Sequence, residues 1–305
     1  MKISVITTAL SLAFLWPVIS QAQHTVDESF NGIKKVEVKG SYVDVEIVGT
    51  PKSNVHLTGE LSVDEDDEDY KILHEVNGDK LEVWIERPNR MWSWNSSSGR
   101  SIIKLEVPVK TEIEVRNSSG NVNIAGIDED VAADASSGNV DVKDVRGRLQ
   151  VEASSGNIYL SDIEGPVNSK TSSGRQTLDE IKGDIEAEAS SGSIRITEAR
   201  GHMNLETSSG DIRLTEVKCR LKAQSTSGSI IGNEVDLEGD SEFKSTSGSI
   251  RIDLINDTED IHFDLHATSG SLKAGSSEGK RDLVINSRGK VKVYGKTTSG
   301  SQKYY

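Results

Sequence analysis

A Ser-Ser-Gly or Thr-Ser-Gly tripeptide ends at Gly120, Gly138, Gly156, Gly174, Gly192, Gly210 and Gly228, in a strict 18-residue period. Further copies end at Gly248, Gly270 and Gly300, after longer and unequal steps. A fixed period of this kind marks one structural unit stacked on copies of itself, and it constrains the fold more than any other feature. With each glycine counted as zero, offset +2 holds Val122, Val140, Ile158, Gln176, Ile194, Ile212 and Ile230. Offset +4 holds Ile124, Val142, Leu160, Leu178, Ile196 and Leu214, with polar residues such as Asp141, Arg195 and Arg213 between the two columns. Alternation with period two is a strand with one buried face. Offset +7 is apolar again (Ile127, Val145, Ile163, Ile181), so the parity switches and the chain must bend before it.

The second half of the unit repeats the logic. Offset +11 holds Val131, Leu149, Val167, Ile185, Met203 and Leu221; offsets +13 and +15 hold mostly Ala, Ser and Thr. Equal coils can stack, each strand pairing in parallel with its equivalent one coil away, at about 4.8 Å. The expected fold is therefore all-β: a single-stranded parallel β-solenoid with 18-residue coils and two strands per coil. Small interior residues at +13 and +15 account for a chain with only 5% aromatic residues. The repeat glycine is expected at a positive φ that other residues resist. One coil cannot fold alone, because ordering each backbone costs about 1–2 kcal/mol and four apolar side chains do not offset a whole coil of them.

The ends of the chain set the compartment. Lys2, the mostly apolar run Ile3 to Ile19 and the small residues around Ala22 read as a secretory signal peptide over residues 1–22. No later stretch approaches the ~20 apolar residues that span a bilayer, so no membrane span is expected after cleavage. Periplasmic, cell-surface or extracellular localisation follows. Residues 23–115 lack the strict period but alternate like strands, as in Val43 to Ile47 and Leu81 to Ile85, with Asn77-Gly78-Asp79 as a turn. They are expected to form irregular coils and a cap continuous with the body. Residues 116–305 form the regular Ser-Ser-Gly array with its own C-terminal cap, and Lys290 to Tyr294 reads as a last strand. The lone Cys219 excludes an internal disulfide, and a net charge of −14 disfavours generic binding to nucleic acid.

The stretch Leu105-Glu106-Val107-Pro108-Val109, followed by Ile113-Glu114-Val115 and Ser118-Ser119-Gly120-Asn121-Val122, resembles the hallmark of the bacterial putative-adhesin family. That family comprises exported or membrane-attached domains of unknown function with Ser-Ser-Gly repeats, and the likeness runs over about residues 30–300. It implies a β-solenoid and interaction at the envelope, and it carries no catalytic residues to this chain.

The residues themselves offer little chemistry. The Ser-Gly pairs are turns rather than nucleophiles, and seven equal corners leave no loop to build a cleft. His262 and His266 share a strand face, but no third metal ligand is evident. Asn121, Asn139, Asn157, Arg175, Ser193, Asp211 and Ser229 follow the glycines, a column too mixed for a calcium ladder. The acidic run 64–69 reads as a solvated loop, with weak calcium binding as its alternative. No cofactor is expected. Trp92 and Trp94 are the candidate partner contacts, either stacking on a sugar or protein or folding over the end of the array. The sequence reads as a non-enzymatic exported envelope protein, an adhesin or scaffold with a protein or glycan partner. The alternatives are a periplasmic interaction module in envelope homeostasis or signalling, and a carbohydrate-active β-helix enzyme, which the short coils disfavour.

Overall fold

The structure is a computed structural model that describes residues 23–62, 70–86 and 101–305. The described residues are all-β, apart from one 3-10 turn at Thr258–Asp260. In the regular region the strands are β10 (Val131–Ala135), β11 (Val140–Val145), β12 (Leu149–Ala153), β13 (Ile158–Glu164), β14 (Val167–Thr171), β15 (Gln176–Lys182) and β16 (Ile185–Ala189). β17 (Ile194–Thr207) and β18 (Ile212–Ser225) each run on through a corner. Parallel partners are one repeat apart: Val131 faces Leu149, which faces Val167, and Val140 faces Ile158. Even-numbered strands make one face (A) and odd-numbered strands the other (B), joined through β17 and β18 into one long mixed sheet with a β-solenoid-like form.

The apolar columns meet between the faces. Val140, Val142, Val145, Leu149 and Val151 are all fully buried, as are their equivalents in neighbouring coils. The bend before +7 is made by one residue in the left-handed region, which drops out of the ladder. It is Gly126 first, then Asp144, Asp162, Glu180, Glu198, Glu216 and Glu234, with φ of 51–55° in the acidic residues. Lys143 pairs with Ser161 and Val145 with Ile163, leaving Asp144 and Asp162 unpaired between them.

The repeat glycine is a different case from the one expected. Gly120 does take φ of 107° and Gly270 143°, but Gly138, Gly156, Gly174, Gly192, Gly210 and Gly228 are not in the left-handed region. They are glycine because coils approach too closely there: a Cβ on Gly156 would run into the carbonyl oxygen of Gly138, and one on Gly174 into that of Gly156. The corner is completed by a buried hydroxyl at +15 where one is present. Thr207 Oγ1 accepts from the Gly210 amide at 3.0 Å and donates to the Gly192 carbonyl at 3.0 Å. Ser225 and Ser245 repeat this geometry.

Among the described residues some buried polar side chains are not fully satisfied. Gln176 stands where other coils carry Val or Ile; its Nε2 reaches the Glu188 carbonyl, but its buried Oε1 has no partner among the described residues. Ser169 nearby in the chain is likewise buried with an unpartnered Oγ. An unsatisfied buried acceptor costs about 1–3 kcal/mol. Gln176→Ile is therefore expected to stabilise the protein by about 1–2 kcal/mol, read as a higher urea midpoint with unchanged slope. A lower midpoint would show that the amide contributes more through Glu188 than it loses.

At both ends the stack departs from chain order. The N-terminal strands are β1 (Gln23–Asn31), β2 (Lys35–Gly40), β3 (Asp44–Thr50), β4 (Asn54–Ser62), β5 (Lys71–Asn77), β6 (Lys80–Glu86), β7 (Ile102–Pro108), β8 (Glu112–Asn117) and β9 (Val122–Ile127). β2 lies between β6 and β8, and β3 between β7 and β9, so an early coil is inserted beneath a later one. The outer coil is then bordered by antiparallel strands, β5 on β6 and β4 on β7, with β1 on β4.

The C-terminal strands are β19 (Ile230–Leu237), β20 (Ser241–Ser245), β21 (Ile250–Leu254), β22 (Ile261–Ser269), β23 (Leu272–Ala274), β24 (Ser277–Gly279), β25 (Asp282–Ile285), β26 (Val291–Ser299) and β27 (Gln302–Tyr304). β26 and β27 are last in the sequence but not in the stack: β26 sits between β20 and β22, and β27 between β21 and β23. Volume selects this order. Tyr304 is fully buried against Phe243 and Phe263, with ring centroids 5.7 and 5.4 Å away, and Gly295 leaves the space its hydroxyl and Gln302 occupy. Antiparallel β24 and β25 border the outer coil.

Candidate binding surface

With the backbone paired from coil to coil, what the molecule offers is its outward columns. The Ser doublet forms a corner ridge. From Ser155 to Ser247 the second serine of the doublet donates its amide to the carbonyl of the first residue of the doublet one coil earlier, as from Ser155 to Ser136 and from Ser173 to Ser154, both at 3.0 Å. The first donates to the +15 carbonyl, as from Ser154 to Ala135 at 3.0 Å. In these coils the doublet amides are thus satisfied without the hydroxyls, and the side chains at Ser154, Ser155, Ser172 and Ser173, like those at Ser136 and Ser137, are left exposed. Ser or Thr fills the first column and Ser the second in every copy from Gly120 to Gly300. At about 4.8 Å per coil this is a double row of hydroxyls along one edge of the array.

The column after the glycine is structural. Asn121 Oδ1 accepts the Asn139 amide at 3.1 Å, Asn139 Oδ1 that of Asn157 at 2.9 Å and Asn157 Oδ1 that of Arg175 at 2.9 Å. Asp211 Oδ1 does the same for Ser229 at 2.9 Å. These oxygens support the next coil, a role that Asn, Asp and Ser can fill and that Arg175, with no acceptor, cannot.

At the N-terminal end of face A the outward charges form mutual pairs. Glu37, whose side chain is only 7% exposed, is held by Lys39 at 2.9 Å, by Arg116 at 3.4 Å and by Lys80. The hydrogen bonds from Lys80 and Lys39 pull its carboxyl down to about 2. A depressed carboxyl contributes stability above its unfolded value of 4.5, and that contribution is lost as the pH falls through 2. Glu37→Gln is accordingly expected to lose about 2 kcal/mol at neutral pH, with the difference from the parent closing between pH 4.5 and 2. Parallel curves of the two proteins over that window in denaturant melts would contradict the assignment.

Among the described residues, no group of three His, Cys, Asp or Glu side chains could hold a metal ion. His262 and His266 do share a face of β22. However, His266 has Asp264 at 2.9 Å and Asp282 at 2.7 Å on its two ring nitrogens, so those carboxylates are directed at the imidazole. Cys219 is buried, and desolvation pushes its thiol up to about 12, so it is no nucleophile. No helix among the described residues is long and apolar enough to cross a membrane. Trp92 and Trp94 lie outside the described residues, as do the signal-peptide segment and the acidic run 64–69.

Fold and surface together define a repetitive β-solenoid-like protein with long, polar, loop-free outer columns. The model of the Toastrack DUF4097 family matches residues 33–205 and again 149–303. The chain belongs to this family, and the resemblance carried by its Ser-Ser-Gly motif is borne out. No curated protein matches it. Among solved structures it is similar to a putative cell adhesion protein from Clostridium sporogenes ATCC 15579 (11% identity, 93% of this chain and 99% of that one, TM-score 0.28). It is also similar to a putative adhesin from Bacteroides fragilis NCTC 9343 (13%, 94% and 98%, 0.39). A third, a putative lipid binding protein from Parabacteroides distasonis ATCC 8503, has 22% identity over 75% of this chain and 96% of its own, with TM-score 0.46.

Proposed function

We propose that this is a non-catalytic, exported cell-envelope protein that acts as an adhesin or scaffold by presenting a rigid, repetitive polar surface. The observation that carries the reading is the double row of exposed hydroxyls along the Ser-Ser-Gly corners, whose doublet amides from Ser154 to Ser247 are already bonded to the coil before. The architecture included in the reading is a single solenoid of regular 18-residue coils with two strands each. The N-terminal coils belong to the same body. The coil-to-coil registers and the insertion of β2 and β3 beside β8 and β9 support it. Export rests on the N-terminal sequence. Protease shaving of intact cells, with blotting before and after lysis, tests the proposal. Loss of the protein from intact cells is the expected result for an adhesin. Protection until the outer barrier is broken would exclude direct adhesion and favour the periplasmic interaction module.

A further inference from the structure

The outside of face B carries a feature that runs against the acidic character of the chain. Arg195 on β17 is registered with Arg213 on β18, which faces Ile231 on β19, then Arg251 on β21, Lys303 on β27 and Lys273 on β23. Five of six successive positions are cationic, in one straight row of neighbouring strands spanning roughly 24 Å at ~4.8 Å per step. The row is only partly neutralised. Arg213 pairs with Asp211 at 2.7 Å, and Lys273 with Glu278 at 3.4 Å, where the row ends on β24. Among the described residues Arg195, Arg251 and Lys303 have no anionic partner; Arg251 lies only against the Tyr305 ring, 5.9 Å from its centroid. This contrasts with face A, where the cations around Glu37 are paired.

The flanks restrict what can lie on the row. On one side runs the column that follows the glycines, Ser193, Asp211, Ser229, Ser249, Ser301 and Ser271, in which Ser229 Oγ and Ser301 Oγ also accept the amides of Ser249 and Ser271. On the other are Thr197, Thr215, Asn233 and the exposed Asp253, and beyond them Glu198, Glu216 and Glu234 at the bend; these carboxylates repel a wide anionic surface. We propose that this row binds one strand of an acidic polysaccharide, the guanidinium and ammonium groups taking its carboxylates and the Ser and Thr hydroxyls its sugar hydroxyls. A single-stranded nucleic acid needs a series of stacking platforms, whereas among the described residues the row's one ring contact is that of Arg251 with Tyr305. A flat anionic membrane would meet the acidic rail and the overall charge of −14.

The inference deepens the envelope-surface reading and rests on it. Its test uses the purified protein, so a periplasmic result from shaving would remove the surface placement and leave the measured affinity standing, while absence of binding would remove this inference alone. The probe is polygalacturonate, titrated beside dextran, a thymidine homopolymer and phosphatidylglycerol vesicles. The expected result is binding to polygalacturonate and not to dextran, weakening as salt rises. The triple variant Arg195→Ser/Arg251→Ser/Lys303→Ser should bind at least about ten-fold more weakly, while Lys110→Ser/Lys222→Ser/Lys296→Ser, equal in net charge, stays within about three-fold. Asp211→Asn, which keeps the oxygen that supports Ser229 and releases Arg213, should bind more tightly, a gain that misfolding cannot produce. Equal losses in the two triple variants, or equal affinity for the homopolymer or the vesicles, would overturn the proposal.

Discussion

Replacing Gly156 by valine is expected to destabilise the protein by about 3 kcal/mol or more, because the new side chain has to displace the Gly138 carbonyl and with it the coil below. The loss is set by coil spacing and not by backbone dihedrals, which gives the prediction a second arm. Asparagine tolerates positive φ, so it would be accepted if φ were the constraint; close approach makes Gly156→Asn nearly as costly as valine. Gln150, exposed in an outward column of β12, is the control, and Gln150→Val should change stability by no more than about 0.5 kcal/mol. Thermal melts of the three variants decide the matter. Similar melting temperatures for Gly156→Val and Gln150→Val would remove the register from which the whole stack is built.

Tyr304→Ala should be comparably damaging, at about 3–5 kcal/mol for the loss of a fully buried aromatic ring. The damage should be local in its first expression. In a stacked array each coil leans on its neighbours, so loosening β27 frees the strands on either side of it, β21 and β23, before the central coils respond. Limited proteolysis should therefore cut the variant between residues 255 and 290 while the Gly120 to Gly228 region stays intact. Tyr304→Phe, which gives up only the 3.3 Å bond to Gln302 Oε1, should lose about 1 kcal/mol. A variant Tyr304→Ala that resists protease like the parent would mean that Phe243 and Phe263 close the end unaided.

The columns at +2, +4, +7, +11 and +13 were legible because a constant coil length puts equivalent residues on the same wall. Other features needed coordinates. The parity switch announced a bend, but not that Asp144, Asp162 and their equivalents would take the left-handed conformation, since nothing local distinguishes them from other acidic residues. The glycine requirement was visible and its cause was not, because coil-to-coil distance is a property of the stack. Nor does alternation reveal stacking order: β22 and β26 read alike, and only the fit of Tyr304 beside Gly295 separates them. The cationic row could have been found. Arg251, Lys273 and Lys303 each stand three places after their own Gly248, Gly270 and Gly300, as Arg195 and Arg213 do after Gly192 and Gly210. The unequal steps between the last glycines hide the column unless every copy is aligned on its own glycine.

The insertion of β26 and β27 has a consequence for the order in which the molecule can be assembled. A nascent chain is made from its N-terminus, so β20 to β25 exist before the strands that belong between them. Until residues 291–304 emerge, β20 and β21 on one side and β22 and β23 on the other hold out unpaired edges towards each other across a vacant slot. If they join directly, the late strands are shut out and remain as a free, pairing-competent tail. Residues 291–304 are therefore expected to enter late, by intercalation, and the unpaired edges that await them are where the chain is open to pairing with a neighbouring molecule.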